Sequence, residues 1–392
     1  MDGDFQRGQM KGEMMPSIRT PKISVVLITY NFARYLRECI ESLLRQTLRP
    51  FEIVICDDCS IDESWSIISK YSKRYPGLIR SYRNERNIGV AANKNIGLKR
   101  ARGNLITWLD GDDRWLPRKL ELEWKALQRH PEARIAYSNV YTIDAEGNRT
   151  GIWHNSKEPA LPIGDVFVEV FSKRFFHNTR SVFRNELRYC SDLEAVGYDD
   201  LNLQSYWDWD EKIRLSARFH AVYSGEALIE YRRHAEGFSE KDAEMHFRAM
   251  VQIYEKHLPL LDRVSKKECV RIRSNVESIL ALQQVRLPPS ELLSYYSAPN
   301  VYERNRKLLD QLPKQDRVPL KKELFIPFMW FALKAGRDEL KRGQIRHGIK
   351  YGLDFFRYNR KEVGLMPIAR IMLSKLTYTR MRAVYRYFGS LP

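Results

Sequence analysis

Hydrophobic positions along the first 150 residues follow two alternating periods. Residues 23–28 (ISVVLI) form a short, β-branched apolar run, the pattern of a strand buried on both faces. Leu36, Cys39, Ile40, Leu43 and Leu44 then fall at i, i+3, i+4, i+7 and i+8, which is one face of a helix. The alternation continues with a strand at 51–56, a helix at 64–75, a strand at 78–82, a helix at 90–100 and a strand at 104–109. Pro117 suits the first turn of the next helix, whose Leu120, Trp124 and Leu127 share a face, and 135–141 reads as a fifth strand. Short connections between strands and helices predict an α/β fold, with a Rossmann-like, mostly parallel sheet covered by helices on both faces. From 151 to 238 the pattern becomes irregular and aromatic-rich. Beyond 240 it reads as helical, broken near Pro288-Pro289 and again between Pro313 and Pro319. The expected organisation is a polar, disordered tail at 1–20, an α/β domain at 21–240 and a helical region at 241–392.

In open parallel sheets, ligands bind beyond the carboxyl ends of the strands. Three polar loops stand at those ends: Thr29-Tyr30-Asn31, Asp57-Asp58 and Asp110-Gly111-Asp112-Asp113. Three carboxylates within four residues repel one another unless a cation joins them, and Mg²⁺ or Mn²⁺ favours such oxygen ligands. The competing reading of this cluster is a solvated, Asp-rich turn. A carboxylate at 57 or 58 suits hydrogen bonds from a base or sugar, whereas Asp62 reads as a helix cap. Cys56 and Cys59 have C-x-x-C spacing but no thioredoxin-like context and no second pair for zinc, so both are read as packing residues.

Further along, 87–97 (NIGVAANKNIG) offers Lys94 as a positive charge for a phosphate, although the segment is neither G-x-G-x-x-G nor a P-loop. The stretch 206–211 (YWDWDE) sets Asp208 and Asp210 among aromatic residues. Either is a candidate general base, or the segment is an acidic helix start with its tryptophans packed inside. Residues 231–234 (YRRH) place two guanidinium groups beside an imidazole, which suits a departing phosphate, although a lone histidine is more often structural.

Charge sharpens the division of the chain. The 392 residues include 66 Lys and Arg and 49 Asp and Glu, for a net charge of +17. Residues 321–392 hold 16 basic and 5 acidic side chains, so they carry +11 and leave +6 for the rest. This tail interleaves Phe355, Phe356, Tyr358, Ile368, Ile371, Met372, Leu373 and Tyr385 with its charges. It reads as a solvated helical domain or as a basic amphipathic surface for an anionic membrane. A nucleic-acid footprint is disfavoured, because it gives the three acidic strand ends no role. No stretch reaches the roughly 18 apolar residues of a membrane span, and Pro327 interrupts the longest candidate, 324–333. The absence of an apolar leader and the odd, low count of five cysteines point to a reducing, cytoplasmic setting, with peripheral contact at the inner face of the membrane.

Taken in order, the motifs resemble those of the family 2 glycosyltransferases of GT-A fold. The resemblance runs through 23–31 (ISVVLITYN), 52–62 (EIVICDDCSID), 87–97, 101–103 (ARG), 109–113 (LDGDD), 208–210 (DWD) and 231–234, and covers about 22–240. It implies inverting transfer from a nucleotide-diphosphate sugar, a UDP- or dTDP-sugar, to a saccharide or lipid-linked saccharide, as in polysaccharide biosynthesis. By this resemblance Thr29, Tyr30 and Asp58 hold the base, with Tyr30 stacking on it, and Lys94 approaches the diphosphate. Asp110 and Asp112 match the D-x-D motif, with Asp113 a further ligand for a divalent metal, Mn²⁺ or Mg²⁺. Asp208 matches the general base, with Asp210 as runner-up, and His234 matches a histidine that closes over the diphosphate. Asn31, Asp57, Asn95 and Arg233 complete the expected donor-binding set.

The sequence departs from the family at Cys59 and Ile61, where Gly and Thr are usual, and at Trp207, where an acidic residue usually precedes the base. A sugar nucleotidyltransferase would use the same strand-end carboxylates. That reading leaves Asp208 and 231–234 unexplained.

Overall fold

The computed structural model describes residues 21–154, 161–172, 185–234, 242–283, 295, 298–317 and 320. These fall in two compact units divided between His257 and Leu258, so the first unit continues past the boundary expected at 240.

In the first unit, β1 (Ile23–Thr29), β2 (Glu52–Asp57), β3 (Ile79–Arg83) and β4 (Leu105–Asp110) alternate with α1 (Ala33–Leu44), α2 (Ser64–Arg74) and α3 (Val90–Arg100). Every residue of β1 and β2 is buried, as continuous apolar strands under two layers of helix require. α1 turns Tyr35, Leu36, Cys39, Ile40 and Leu43 inward. Each fully buried Leu or Ile of this kind contributes about 1.5–3 kcal/mol.

The remainder of the unit comprises β5 (Arg114–Trp115), α4 (Lys119–Arg129), β6 (Ala133–Ile143), β7 (Arg149–Ile152), α5 (Phe167–Phe171), β8 (Leu187–Tyr189), α6 (Asp192–Val196), α7 (Trp207–Ser216), β9 (His220–Arg232) and α8 (Ala243–His257). The sheet order is β3-β2-β1-β4-β8-β6-β9-β5, with β7 on β6. The β3-β2-β1-β4 half is parallel, as the alternation predicts. The other half is mixed. β8 runs antiparallel to both β4 and β6, β9 is parallel to β6, and β5 is antiparallel to β9.

The segment read as irregular thus contains β9, a 13-residue strand. β5 follows directly on the acidic loop and pairs Arg114 with Glu230 and Trp115 with Ile229. That short pairing carries the end of β9 against the end of β4, which brings 231–234 to 110–113.

The second unit contains a 3₁₀ turn (Leu258–Arg263), α9 (Lys266–Gln283) and α10 (Ala298–Asp310). Ser265 and Glu268 form a reciprocal cap at the start of α9, with Ser265 N donating to Glu268 Oε2 at 2.9 Å and Glu268 N to Ser265 Oγ at 3.3 Å. Val270 of α9, Leu309 of α10 and Leu312 and Leu320 beyond it form an apolar cluster. The basic 321–392 segment lies outside the described residues.

Candidate active site

The acidic loop folds tightly onto the end of β1. Gly111 N donates to Ile28 O at 2.9 Å, and a Cβ at 111 would lie 2.7 Å from Thr29 Oγ1 and 2.9 Å from Thr29 Cβ. Only glycine permits this approach. Asp113 N donates to Asp110 O at 3.2 Å and closes the turn. One carboxylate oxygen from each of Asp110, Asp112 and Asp113 lies within 4.8 Å of the others. Asp112 and Asp113 are buried and Asp110 is half-buried. Behind them, Cys39 Sγ donates to Asp110 O at 3.5 Å. Burial, then the charges of Asp113, Asp112 and Asp110, push its thiol pKa well up and keep it neutral.

The end of β9 completes this cluster. Arg232 N donates to Asp113 Oδ1 at 2.9 Å, and Arg232 Nε donates to Asp112 O at 2.8 Å. His234 Nε2 lies 3.0 Å from Asp112 Oδ2. Its ring sits against Tyr35 and Phe32, with centroids 5.1 and 5.9 Å away. Arg233 faces outward, and its N–H donates to Ile143 O. The sequence reading singled out Arg233 and His234. The buried guanidinium that touches the acidic loop is Arg232; period-2 alternation sets the two arginines on opposite faces without showing which face meets the loop.

Around the first two strand ends, Tyr30 presents its ring to solvent at 40% exposure. Thr29 is buried, with its hydroxyl lacking a partner. Asn31 adopts a left-handed φ of 57°. Its Oδ1 accepts from Ile61 N at 2.8 Å, and its N–H donates to Ser60 Oγ at 2.9 Å. Asp57 accepts from the hydroxyl and the N–H of Ser60 and pairs with Arg83, while burial raises its pKa. Asp58 accepts from Asn84 Nδ2 at 2.8 Å and from the N–H groups of Ile88 and Gly89 at 2.9 Å each. Gly89, with φ of 90°, supplies the left-handed turn this requires. These residues knit the first, second and third strand-end loops together. Asp62 spans loops as well: Oδ1 accepts from Ser64 N just before α2, whose N-cap is Glu63, and Oδ2 accepts from Ala33 N at the start of α1. Ile61, standing where the family usually has Thr, is 87% exposed.

Lys94 sits in a buried ion-pair cluster. Its ammonium is buried, 2.9 Å from Asp199 Oδ2 and 3.0 Å from Glu211 Oε2, with the Trp108 ring centroid 4.5 Å away. The three directions in which it can donate are thereby occupied. Asn95 Nδ2 donates to Asp199 O and Asn95 Oδ1 accepts from Asp199 N, at 2.9 Å each. Lys94 and Asn95 therefore fasten both ends of the segment that leads into α7, at Asp199 and at Glu211. Burial raises the Asp199 pKa to about 6 despite Lys94. Arg188, 2.6 Å from Glu211, joins Lys94 in overcoming burial there and holds Glu211 ionised.

The two candidate bases in α7 occupy different surroundings. Asp210 is fully buried: His257 Nε2 lies 2.8 Å from its Oδ1, and Arg214 and Lys256 pair with it at 2.9 and 2.8 Å. Against the opposing effect of burial, these partners hold its pKa down to about 2. It ties α8 to α7. Asp208, in the first turn of α7, has 29% of its side chain exposed, with Lys212 Nζ 3.5 Å away. Trp209 packs inside, its Nε1 donating to Val170 O.

Hard carboxylate oxygens gathered at one point, with an imidazole beside them, fit a small divalent cation. The arrangement as a whole suits an anionic ligand held by a cation near an exposed aromatic ring, with a part-exposed carboxylate on a separate helix.

Comparison with known proteins agrees with this architecture. The profile "Glycosyl transferase family 2" matches residues 24–193. An uncharacterised protein of Mycobacterium bovis is 34% identical over 221 residues, covering 55% of this chain and 60% of the relative, so the chain spans less than two thirds of that protein. An uncharacterised glycosyltransferase of Methanocaldococcus jannaschii is 31% identical over 223 residues, covering 56% of this chain and 73% of the relative. The crystal structure of TarS from S. aureus superposes with a TM-score of 0.50 at 16% identity, over 86% of this chain and 54% of that one, a likeness of fold. With this fold and a relative matched over 73% of its length, the chain belongs to glycosyltransferase family 2 and has the GT-A fold.

Proposed function

We propose that the protein transfers a sugar from a nucleotide-diphosphate donor, a UDP- or dTDP-sugar, to a hydroxyl of a saccharide or lipid-linked saccharide, with inversion at the anomeric carbon. The observation that carries this reading is the meeting of Asp110, Asp112, Asp113 and His234 at the ends of β4 and β9, across the strand-end loops from the exposed ring of Tyr30. Asp110, Asp112 and Asp113 would hold Mn²⁺ or Mg²⁺, which neutralises charge as a diphosphate departs. Tyr30 stacks on the base, and Thr29 precedes it at the buried end of β1. Asp208 accepts the proton of the acceptor hydroxyl, and the oxygen attacks opposite the leaving diphosphate.

Buried Asp210, saturated by His257, Arg214 and Lys256, supports the choice of Asp208 as the base. The saccharide acceptor and contact with an anionic membrane surface are inferred from the basic, aromatic 321–392 segment. No described helix is long and apolar enough to cross a membrane.

Calorimetric titration of UDP, GDP, dTDP and CMP, each with Mn²⁺ or EDTA, tests the donor site. Metal-dependent binding of one diphosphate, weakened in Asp112→Ala, is expected. Absence of binding by all four under both conditions would overturn the reading. For the membrane component, flotation of the full chain with anionic vesicles should exceed flotation with neutral ones.

A further inference from the structure

One ion-pair system links the acidic loop to α1 and is absorbed by neither the donor nor the base. Glu38, on the second turn of α1, faces two guanidinium groups at once. Its Oε2 accepts from Arg232 Nη2 at 2.5 Å, and its Oε1 pairs with Arg114. Both arginines flank the acidic loop, Arg114 directly after it on β5 and Arg232 at the end of β9. Arg114 also pairs with Glu230 and donates to Gly147 O at 2.9 Å.

Four of the five N–H groups of the buried Arg232 fork have an assignment. Nε donates to Asp112 O, Nη1 to the carbonyls of Asp144 and Ala145 at 3.2 and 3.0 Å, and Nη2 to Glu38. The guanidinium carbon lies 4.6 Å from the Tyr35 ring, the ring that also contacts His234. Two residues after this fork, His234 meets the Asp112 carboxylate.

We propose that Glu38 is a positioning residue for the acidic site: by clamping Arg232, it fixes the backbone of Asp112 and the approach of His234 to the Asp112 carboxylate. This inference rests on the proposed metal role of Asp110, Asp112 and Asp113. Arg232 pins the loop at a main-chain oxygen and, through its own N–H, at Asp113 Oδ1. A planar fork with five donors performs this task, and an ammonium does not. Glu38 orients that fork, and its own side chain is 39% exposed, so its removal leaves no buried cavity.

The test is calorimetric titration of the full chain with Mn²⁺ alone, together with thermal unfolding, on wild type, Glu38→Gln and Glu146→Ala. Partners that orient metal ligands typically change metal affinity about 10–100-fold when removed. Glu38→Gln is expected to weaken Mn²⁺ binding about tenfold at a temperature where it is fully folded. Glu146→Ala removes an equal charge from the adjacent β6–β7 turn, where Glu146 pairs with exposed Arg34 at 3.3 Å, and should leave the affinity unchanged. Arg232→Lys should weaken Mn²⁺ binding as well, despite retaining the charge. Equal Mn²⁺ affinity in wild type and Glu38→Gln would overturn the proposal, as would equal weakening in Glu38→Gln and Glu146→Ala. If wild type itself binds no Mn²⁺, the metal reading of the acidic triplet fails, and this inference falls with it.

Discussion

Replacing Lys94 by Met removes a charge from the protein interior while nearly preserving volume, so its cost is mainly electrostatic. Lys94, Asp199 and Glu211 have side chains at most 3% exposed, and the ammonium lies within 3.0 Å of both carboxylates. Removing one partner of such a buried pair costs about 3–5 kcal/mol, a large share of the roughly 5–15 kcal/mol that stabilises a typical domain. The cost depends on pH in a defined direction. Glu211 retains Arg188 at 2.6 Å, but Asp199 loses the charge that opposes its burial.

In wild type, burial already lifts Asp199 to about 6. Without Lys94 it rises further, so the variant's native state binds this proton more tightly than wild type does. Stability falls with rising pH wherever the native state binds more protons than the unfolded one. Destabilisation by Lys94→Met is therefore expected to be greatest near pH 8 and to shrink toward pH 5, as Asp199 becomes neutral. Urea unfolding followed by tryptophan fluorescence at both pH values measures this difference. An unchanged midpoint at pH 8, combined with weakened nucleotide binding, would refute the placement of Lys94 and return it to the diphosphate.

Two further substitutions test other parts of the structure. Gly111→Ala forces a Cβ to within 2.7 Å of Thr29 Oγ1, so it should cost about 1–3 kcal/mol in urea unfolding and weaken Mn²⁺ binding; two unchanged values would contradict the fit of the acidic loop onto β1. Asp210, held near pKa 2 against an unfolded value of 3.8, stabilises the fold above pH 4, and about 2 kcal/mol is lost as pH falls from 4 toward 2. In Asp210→Asn that part of the acid-unfolding curve should flatten, and coincident acid curves would contradict the assignment.

The parallel half of the sheet was legible because each of its elements is a local pattern. Buried runs such as 23–28 and the helix face Leu36-Cys39-Ile40-Leu43 need no distant partner to be recognised. β9 was not, since its core-facing alternation is interrupted by Ser224, Gly225 and Glu226, and its register is set by pairing with β6 and β5. The acidic triplet was visible as spacing. The roles of Lys94 and Asn95 were not, because their partners stand 104 and 117 residues away. Lysine on a helix that follows a glycine suggests a phosphate until the fold supplies two buried carboxylates. Arg232 and Arg233 are adjacent and chemically identical, and only the strand register decides which one reaches Asp112.

The central claim is that a carboxylate on α7 performs proton transfer while the acidic loop holds the donor. Release of nucleoside diphosphate from the donor identified by calorimetry, measured with acceptor for wild type, Asp112→Ala and Asp208→Asn, tests both roles together. Asp112→Ala should weaken donor binding. Asp208→Asn should leave donor affinity and folding intact and lower kcat by about 10²–10⁴. Wild-type turnover by Asp208→Asn would contradict the account.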